Sequence, residues 1–278
     1  MKEQLESIIQ QSYHKERRNL FTFLTGAGIS SESGIPTYRG SDGIWVKGTQ
    51  FHKPEEFGTM RYFRQNPEEV LQYSLFRKKM FDNVEPNESH FELAAIENTL
   101  QDRFHLITQN IDNLHRRAGS ERIYEIHGNN REIKCSNGCK KIVNLPEEIK
   151  GKNIDEDLTE RDKELLTCPE CGHWMRPNIL WFDEYYDEKT NKRFSALKKA
   201  KNSAILFIVG TSGATNLPIA IAETALRYGA FIVDINTEDN NFTKLIRNKK
   251  NALIIREKST DTLKAIREIL ESINPQAV

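Results

Sequence analysis

Four cysteines lie in two close pairs, and their spacing points to metal chemistry. Three residues separate Cys135 from Cys139, two separate Cys168 from Cys171, and 28 residues lie between the pairs. Four thiolates suit a tetrahedral Zn²⁺ ion, and a complete shell of protein ligands leaves no position for substrate. The pattern predicts one structural zinc ion, and a redox role for Cys168 and Cys171 is the alternative.

A glycine-rich segment, LTGAGISSESGIP, follows the first predicted strand. Gly26 and Gly28 would let backbone amides approach a pyrophosphate at the start of a helix. Ser31 occupies the position of the third glycine in the usual dinucleotide fingerprint. A tight strand-to-helix turn without a ligand is therefore the alternative.

Polar side chains follow two further predicted strands. Gln109, Asn110 and Asp112 occur within one turn and can hydrogen-bond hydroxyls or an amide. Asn110 and Asp112 equally suit a helix cap and a turn. His127 directly follows another strand, and a neutral imidazole can act as a general base near neutral pH, although a lone histidine is more often structural.

The segment after the second cysteine pair carries two aromatic residues and two carboxylates. Trp181 and Phe182 favour extended structure, and Asp183 and Glu184 follow them. The segment predicts either an extended edge that pairs with a peptide backbone or an ordinary buried strand.

Short apolar segments alternate with helical patterns along most of the chain, which is typical of an α/β fold with helices on both faces of a parallel sheet. The predicted strands are residues 20–24, 104–108, 123–126, 205–209, 231–235 and 252–255. The predicted helices are residues 1–18, 68–81, 90–100, 218–228 and 260–273. Residues 129–179 break the alternation and contain every cysteine, so they are predicted to form a small module inserted between residues 1–128 and 180–278.

The composition limits the classes of partner. The 278 residues include 40 Lys plus Arg and 40 Asp plus Glu, so the formal net charge is zero. Binding to nucleic acid or to anionic lipid usually requires a cationic excess, and we expect neither partner. The N-terminus has no apolar export segment, and the apolar runs are far shorter than the ~20 residues that span a bilayer, so we expect a cytoplasmic protein.

Six motifs occur in an order and spacing that resemble the sirtuin family of NAD-dependent protein deacylases. They are GAGIS with SGIP and YRG, TQNID with LH and AG, a His-Gly pair, the cysteine pairs, RPN with WF and E, and GTS. The resemblance extends from about residue 20 to residue 260. It implies a Rossmann-like NAD domain with a small inserted zinc module, NAD as cosubstrate, and an acyl-lysine peptide bound as a strand in the cleft between them.

The resemblance also implies the roles of individual residues. His127 is the implied general base, and Asn110 is a second implied catalytic residue. The implied substrate residues are Trp181, Phe182, Asp183 and Glu184. The implied NAD-binding residues are Gly26, Ala27, Gly28, Ile29, Pro36, Tyr38, Arg39, Gln109, Asn110, Asp112, Gly210, Thr211, Ser212, Asn236 and Lys258.

The chain departs from the family pattern at several positions. Thr37 replaces the usual Asp after SGIP, and Asp183 replaces a glycine, which would narrow the acyl-lysine channel or add negative charge to it. The Tyr-x-x-Arg pair of the branch that removes acidic acyl groups is incomplete, because the register gives Ser74 and Arg77 with the tyrosine one place early at Tyr73. An NAD glycohydrolase or mono-ADP-ribosyltransferase is the alternative activity, and a non-catalytic NAD-binding protein is a third hypothesis.

Overall fold

Nine strands form two sheets in the computed structural model, which describes residues 2–37, 54–139 and 141–274. The strands are β1 (Leu20–Thr25), β2 (Phe104–Thr108), β3 (Ile123–Glu125), β4 (Gly128–Cys135), β5 (Val143–Asn144), β6 (Met175–Ile179), β7 (Ser203–Val209), β8 (Phe231–Ile235) and β9 (Ala252–Ile255). Six of them form a parallel sheet in the order β3-β2-β1-β7-β8-β9. This is the Rossmann order, which reverses direction between β1 and β7. All six predicted strands are confirmed.

Helices connect the strands. They are α1 (Lys2–Tyr13), α2 (Pro54–Phe57), α3 (Met60–Gln65), α4 (Pro67–Asp82), α5 (Glu88–Leu100), α6 (Leu114–Arg117), α7 (Glu160–Leu165), α8 (Arg193–Lys201), α9 (Asn216–Arg227), α10 (Asn241–Ile246) and α11 (Ser259–Ile273), with 3₁₀ helices at Ala27–Ser33 and Gln101–Arg103. The first helix ends at Tyr13, five residues before its predicted end, and the predicted end itself is not helical because Arg18 has a left-handed φ of 50°. In the described ranges, no helix is long and apolar enough to cross a membrane.

The parallel sheet is buried on both faces. Helices α1, α5 and α11 cover one face, and α8, α9 and α10 cover the other. Side chains alternate along β1, so Phe21 and Phe23 face the first layer while Leu24 faces the second. The Phe23 ring stacks on Phe207 at 4.7 Å and on Phe104 at 5.3 Å. The sheet is therefore a rigid base for the loops at its edge.

The carboxyl ends of the parallel strands lie at one edge. Thr25 pairs with Thr108 and Val209, Val209 pairs with Ile235, and Ile235 pairs with Ile255. The loops that follow these residues therefore start side by side, where open α/β sheets bind ligands.

The smaller sheet is antiparallel, with the order β5-β4-β6, and lies within residues 128–179. Its apolar residues share a core with α2, α3 and α4, in which Phe63, Leu71 and Leu75 pack with Ile133 and Ile149. Helices from outside the cysteine segment thus contribute to the core around this sheet.

Candidate active site

A cavity of about 910 Å³ lies at the carboxyl edge of the parallel sheet, beside the reversal between β1 and β7. This volume is within the range of small-molecule and cofactor sites. The predicted site residues that line it are Gly26, Ala27, Gly28, Pro36, Gln109, Asn110, Asp112, His127, Trp181, Phe182, Glu184, Gly210, Thr211, Ser212, Asn236 and Lys258. Ile29 is fully buried and, like Asp183, does not line the cavity. Tyr38 and Arg39 lie outside the described residues.

The glycines after β1 permit close contact with the loop after β7. A Cβ atom on Gly28 would lie 2.8 Å from the Cα atom of Gly210, which is too close for any side chain. The Gly28 N–H donates to the Gly210 carbonyl at 2.8 Å, the Gly26 N–H donates to the last residue of β7, and the Ile29 N–H donates to Gly26. These three amides already donate within the protein, so the glycines bring two loops together rather than offering all their amides to a phosphate.

Ser30 is the centre of a buried polar network on the cavity floor. Its hydroxyl donates to the Asp112 carboxylate at 2.8 Å and accepts from the Asn110 side chain at 3.0 Å. The other Asp112 oxygen accepts the Leu114 N–H at 2.9 Å, so Asp112 also satisfies the first amide of α6. Burial raises the pKa of Asp112, while its hydrogen bonds and the positive charge of Arg77 oppose that shift.

Two histidines lie behind Ser30. His90 and His115 meet edge to face with ring centroids 4.8 Å apart, and His115 Nε2 lies 3.0 Å from the Thr25 hydroxyl. Burial lowers the pKa of both imidazoles, that of His90 to about 4. At neutral pH the two buried imidazoles behind the cavity floor are therefore uncharged.

Gln109 connects three of the loops. Its side-chain amide donates to the Thr211 hydroxyl at 2.7 Å and to the Thr25 carbonyl at 3.3 Å, and its carbonyl oxygen accepts from Thr215 at 3.4 Å. These contacts fix the relative positions of the loops after β1, β2 and β7.

His127 lies on the cavity wall, two residues after the end of β3. Its carbonyl accepts the Leu180 N–H at 2.9 Å, and its Nε2 lies 2.8 Å from the Tyr186 hydroxyl. Burial lowers the pKa of His127 to about 4, and a hydrogen bond to the Gln109 backbone partly opposes this shift. The imidazole is therefore neutral and can accept a proton at neutral pH.

Asn236 and Lys258 lie at the other end of the cavity, after β8 and β9. The Asn236 side chain donates to Asp234, and the Lys258 ammonium lies 3.2 Å from the Glu32 carboxylate. The Thr260 hydroxyl, followed by Lys258, lowers the pKa of Glu32. The pair links the end of β9 to the 3₁₀ helix after β1.

The segment predicted to be extended at residues 181–184 is a turn. Strand β6 ends at Ile179, and the Glu184 N–H donates back to the Trp181 carbonyl at 3.0 Å. The Glu184 carboxylate accepts the Trp181 N–H at 3.0 Å and pairs with Arg176, whose guanidinium lies 4.2 Å over the Trp181 ring. These bonds favour a turn over a strand, and they leave Phe182 47% exposed at the cavity.

Asp183 points away from the cavity toward α3. Its two carboxylate oxygens accept the N–H groups of Met60 at 2.8 Å and Arg61 at 3.1 Å. The Phe182 N–H donates to the Gly58 carbonyl at 2.9 Å beside them. The expected narrowing of an acyl channel by Asp183 is not what the geometry shows, because this carboxylate satisfies the free amides at the start of a helix.

Helix α4 contributes Tyr73, Ser74 and Arg77 to the cavity wall. The Ser74 hydroxyl lies 3.4 Å from the Asn130 side-chain carbonyl, and the Arg77 guanidinium lies 4.9 Å over the Phe81 ring. The arginine is 5% exposed, so this wall carries a largely buried positive charge.

The four cysteine sulfurs form one cluster beside the smaller sheet, all within 4.8 Å of one another. Their closest separations are 3.2 to 3.5 Å. Zn–S bonds of about 2.3 Å in a tetrahedron place sulfurs about 3.8 Å apart, so the donor set fits one Zn²⁺ ion. The His173 ring instead lies 3.2 Å from the Cys171 carbonyl.

Comparison with known proteins assigns the chain to a family. Residues 26–216 match the model of the Sir2 family. The chain belongs to this family. It is 36% identical over 264 residues to the NAD-dependent protein deacylase of Leptospira interrogans serogroup Icterohaemorrhagiae serovar copenhageni (strain Fiocruz L1-130), covering 93% of this chain and 96% of the relative. It is 34% identical over 255 residues to that of Aquifex aeolicus (strain VF5), covering 92% and 96%.

The fold of this Sir2-family chain also matches a solved structure. A Sir2 homologue in complex with NAD superposes with a TM-score of 0.78 at 27% identity, covering 99% of this chain and 95% of that one. The resemblance to sirtuins and the Rossmann-like fold are therefore confirmed. The cavity fits NAD in size and polarity, and the cysteine cluster fits one zinc ion.

Ser30 and Tyr186 are among the polar residues of this Sir2-family site that were absent from the sequence prediction. Ser30 is inside the glycine-rich motif, where its type suited a turn, and its hydrogen bonds to Asn110 and Asp112 depend on the separation between strands β1 and β2. Tyr186 lies 59 residues from its partner His127. No local spacing signals a contact of that kind.

Proposed function

We propose that this protein is an NAD-dependent protein deacylase that acts on acyl-lysine side chains, transfers the acyl group to ADP-ribose and releases nicotinamide. The observation that carries this proposal is the neutral imidazole of His127 in the same cavity as the Asn110–Ser30–Asp112 network. The names of the Leptospira and Aquifex relatives support it.

Different residues along the cavity would hold the two halves of NAD. Asn236 and Lys258 would hold the adenosine half, and Gln109, Asn110 and Asp112 would hold the nicotinamide ribose. Bound NAD supplies an electrophilic ribose carbon when nicotinamide leaves. The buried network would hold its groups in one orientation around that carbon, which lowers the entropic cost of reaction.

His127 would act as the general base. Its Nε2 would accept the proton of a ribose hydroxyl so that the hydroxyl oxygen can take the acyl group. A positioned base typically contributes ~10²- to 10⁴-fold to rate. The exposed Phe182, with Trp181 behind it, would contact the substrate peptide at the mouth of the cavity.

The glycohydrolase and ADP-ribosyltransferase alternative is not favoured. Its support in the sequence was a carboxylate beside the substrate path, and Asp183 binds the amides of α3 instead. We also infer a division into a Rossmann-like unit of residues 1–128 and 180–278 and a zinc module of residues 129–179, to whose core α2–α4 contribute.

The test is to incubate the protein with NAD and a panel of acyl-lysine peptides while nicotinamide and peptide mass are followed together. We expect nicotinamide release to require a peptide and to match the loss of acyl mass. The His127→Ala variant should lose at least ~100-fold in deacylation, and the exposed His14→Ala variant controls for loss of an imidazole. Equally fast nicotinamide release without peptide would reject deacylation in favour of NAD hydrolysis.

A further inference from the structure

The Tyr186 hydroxyl is hydrogen-bonded to Nε2 of His127, the nitrogen on which the proposed function depends. Tyr186 Oη and His127 Nε2 are 2.8 Å apart, and both residues line the cavity. A neutral imidazole has one N–H and one lone pair. A hydrogen bond to the Gln109 backbone favours the protonated imidazole, which is the effect of a carbonyl that accepts from a ring N–H. The other ring nitrogen, Nε2, faces Tyr186. In the tautomer with the N–H on Nδ1, the tyrosine donates to the lone pair of Nε2.

A separate contact fixes this pair in position. The Asn191 side chain is 2% exposed, donates to the Ile126 carbonyl at 2.9 Å and accepts the Asp187 N–H at 3.2 Å. Ile126 and Asp187 are the chain neighbours of His127 and Tyr186. One buried amide thus joins the two backbones at the positions next to the pair.

The Tyr186 hydroxyl keeps its proton at neutral pH. Burial of the ring raises the pKa of Tyr186, and the Thr215 side chain only partly opposes this shift. While the Tyr186–His127 hydrogen bond is intact, a proton from a hydroxyl in the cavity can reach Nε2 only through the tyrosine oxygen.

We propose that Tyr186 relays the proton from a cosubstrate hydroxyl to His127; the inference rests on the proposed deacylase function. In one concerted transfer the ribose O–H bond breaks and a new O–H bond forms on Tyr186. The original Tyr186 O–H bond breaks and an N–H bond forms on Nε2. The tyrosine is neutral before and after, His127 becomes an imidazolium, and the ribose oxygen keeps its electron pair for the acyl group.

The Tyr186→Phe variant tests the relay, because it removes the hydroxyl and keeps the ring. Release of deacylated peptide uses the base, whereas incorporation of labelled nicotinamide into NAD reports only cleavage and re-formation of the nicotinamide bond. We expect peptide release to fall by about tenfold or more while nicotinamide incorporation stays within about twofold of the wild type. Tyr185→Phe is the matched control, because Tyr185 is 91% exposed and outside the cavity lining, and it should change neither rate.

The His127→Ala background separates the relay from a packing role. A relay acts only through His127, so His127→Ala/Tyr186→Phe should be no slower than His127→Ala alone. Unchanged or faster peptide release in Tyr186→Phe, equal loss of both rates, or a further loss in the double variant would each overturn the relay. If the wild type shows no peptide-dependent NAD consumption, the proposed function itself fails.

Discussion

The carboxylate of Asp183 accepts the backbone N–H of Met60 at 2.8 Å and so caps helix α3 from 123 residues further along the chain. Its second oxygen accepts the Arg61 N–H at 3.1 Å, and the Thr59 hydroxyl accepts the Tyr62 N–H at 3.1 Å. The first three amides of the helix therefore all have acceptors. One residue thus joins the turn beside the cavity to helix α3.

Removal of this cap should destabilise the protein. The loss of a helix-capping acceptor costs about 1 kcal/mol, so Asp183→Ala should lower the free energy of unfolding by about that amount. Asp183→Asn should cost less, because its amide oxygen still accepts one N–H. Urea unfolding followed by circular dichroism measures both, with the exposed Asp155→Ala as the control. Equal stability of Asp183→Ala and Asp155→Ala would show that the cap contributes nothing.

The cysteine cluster should hold about one equivalent of zinc per chain. A bound zinc ion would crosslink the two segments that carry the cysteine pairs. A strong chelator should therefore lower the melting temperature of the wild type, and added Zn²⁺ should restore it. Elemental analysis of Cys168→Ser should show less metal, while His173→Gln should retain a full equivalent, since this ring contacts a carbonyl instead. Folded wild type without bound metal would refute the site.

The buried His105 on β2 should make stability depend on acid pH. Burial, followed by the charges of Lys199 and Arg122, lowers its pKa to about 3 in the folded protein, against about 6.5 in an unfolded chain. Between these values the unfolded state binds a proton that the folded state does not. The stabilisation is therefore complete above about pH 6.5 and is lost as the pH falls toward 3.

The His105→Leu variant lacks the imidazole and therefore cannot bind the proton that His105 takes up in the unfolded state. The slope of unfolding free energy against pH between 6 and 4 should fall by up to about 1.4 kcal/mol per pH unit relative to the wild type. Urea unfolding at several pH values measures the slope. An unchanged slope would mean that His105 is protonated in the folded protein as well.

Enlarging Gly28 should separate the loops after β1 and β7. The Gly28→Ala methyl group would lie 2.8 Å from backbone atoms of Gly210, and overpacking of this kind costs about 1 to 3 kcal/mol. We expect lower stability and weaker NAD binding by calorimetry without peptide. Gly229→Ala is the control for NAD affinity, because a methyl group there meets nothing within 4 Å; its left-handed φ of 81° should lower stability but leave NAD binding unchanged. Wild-type NAD affinity in Gly28→Ala would show that the loop contact does not shape the site.

The elements were predictable because their signals are local. Apolar runs such as Ile205 to Val209 are buried on both faces, and their carboxyl ends had to share an edge once the sheet was parallel. The cysteine spacing likewise predicted a cluster. In contrast, the turn at residues 181–184 depends on the charge pair between Arg176 and Glu184, and β propensity takes no account of such a pair.

The polar contacts of the site were less predictable. Asp112 was recognised both as a cap and as a site residue, and the structure gives each of its oxygens a separate partner. The contact of Tyr186 with His127 depends on the path of the chain after β6 and on the Asn191 bridge. Such contacts follow from tertiary geometry, which residue type and spacing do not specify.

The contact between Gly28 and Gly210 limits which sequences can replace this one. A side chain that crowds another side chain can be accommodated by a smaller partner, but the nearest atoms to a Cβ on Gly28 all belong to the Gly210 backbone. No compensating substitution at position 210 can remove those atoms. A genetic search for second-site suppressors of Gly28→Ala should therefore recover reversion to glycine and no size-reducing change at the contact itself.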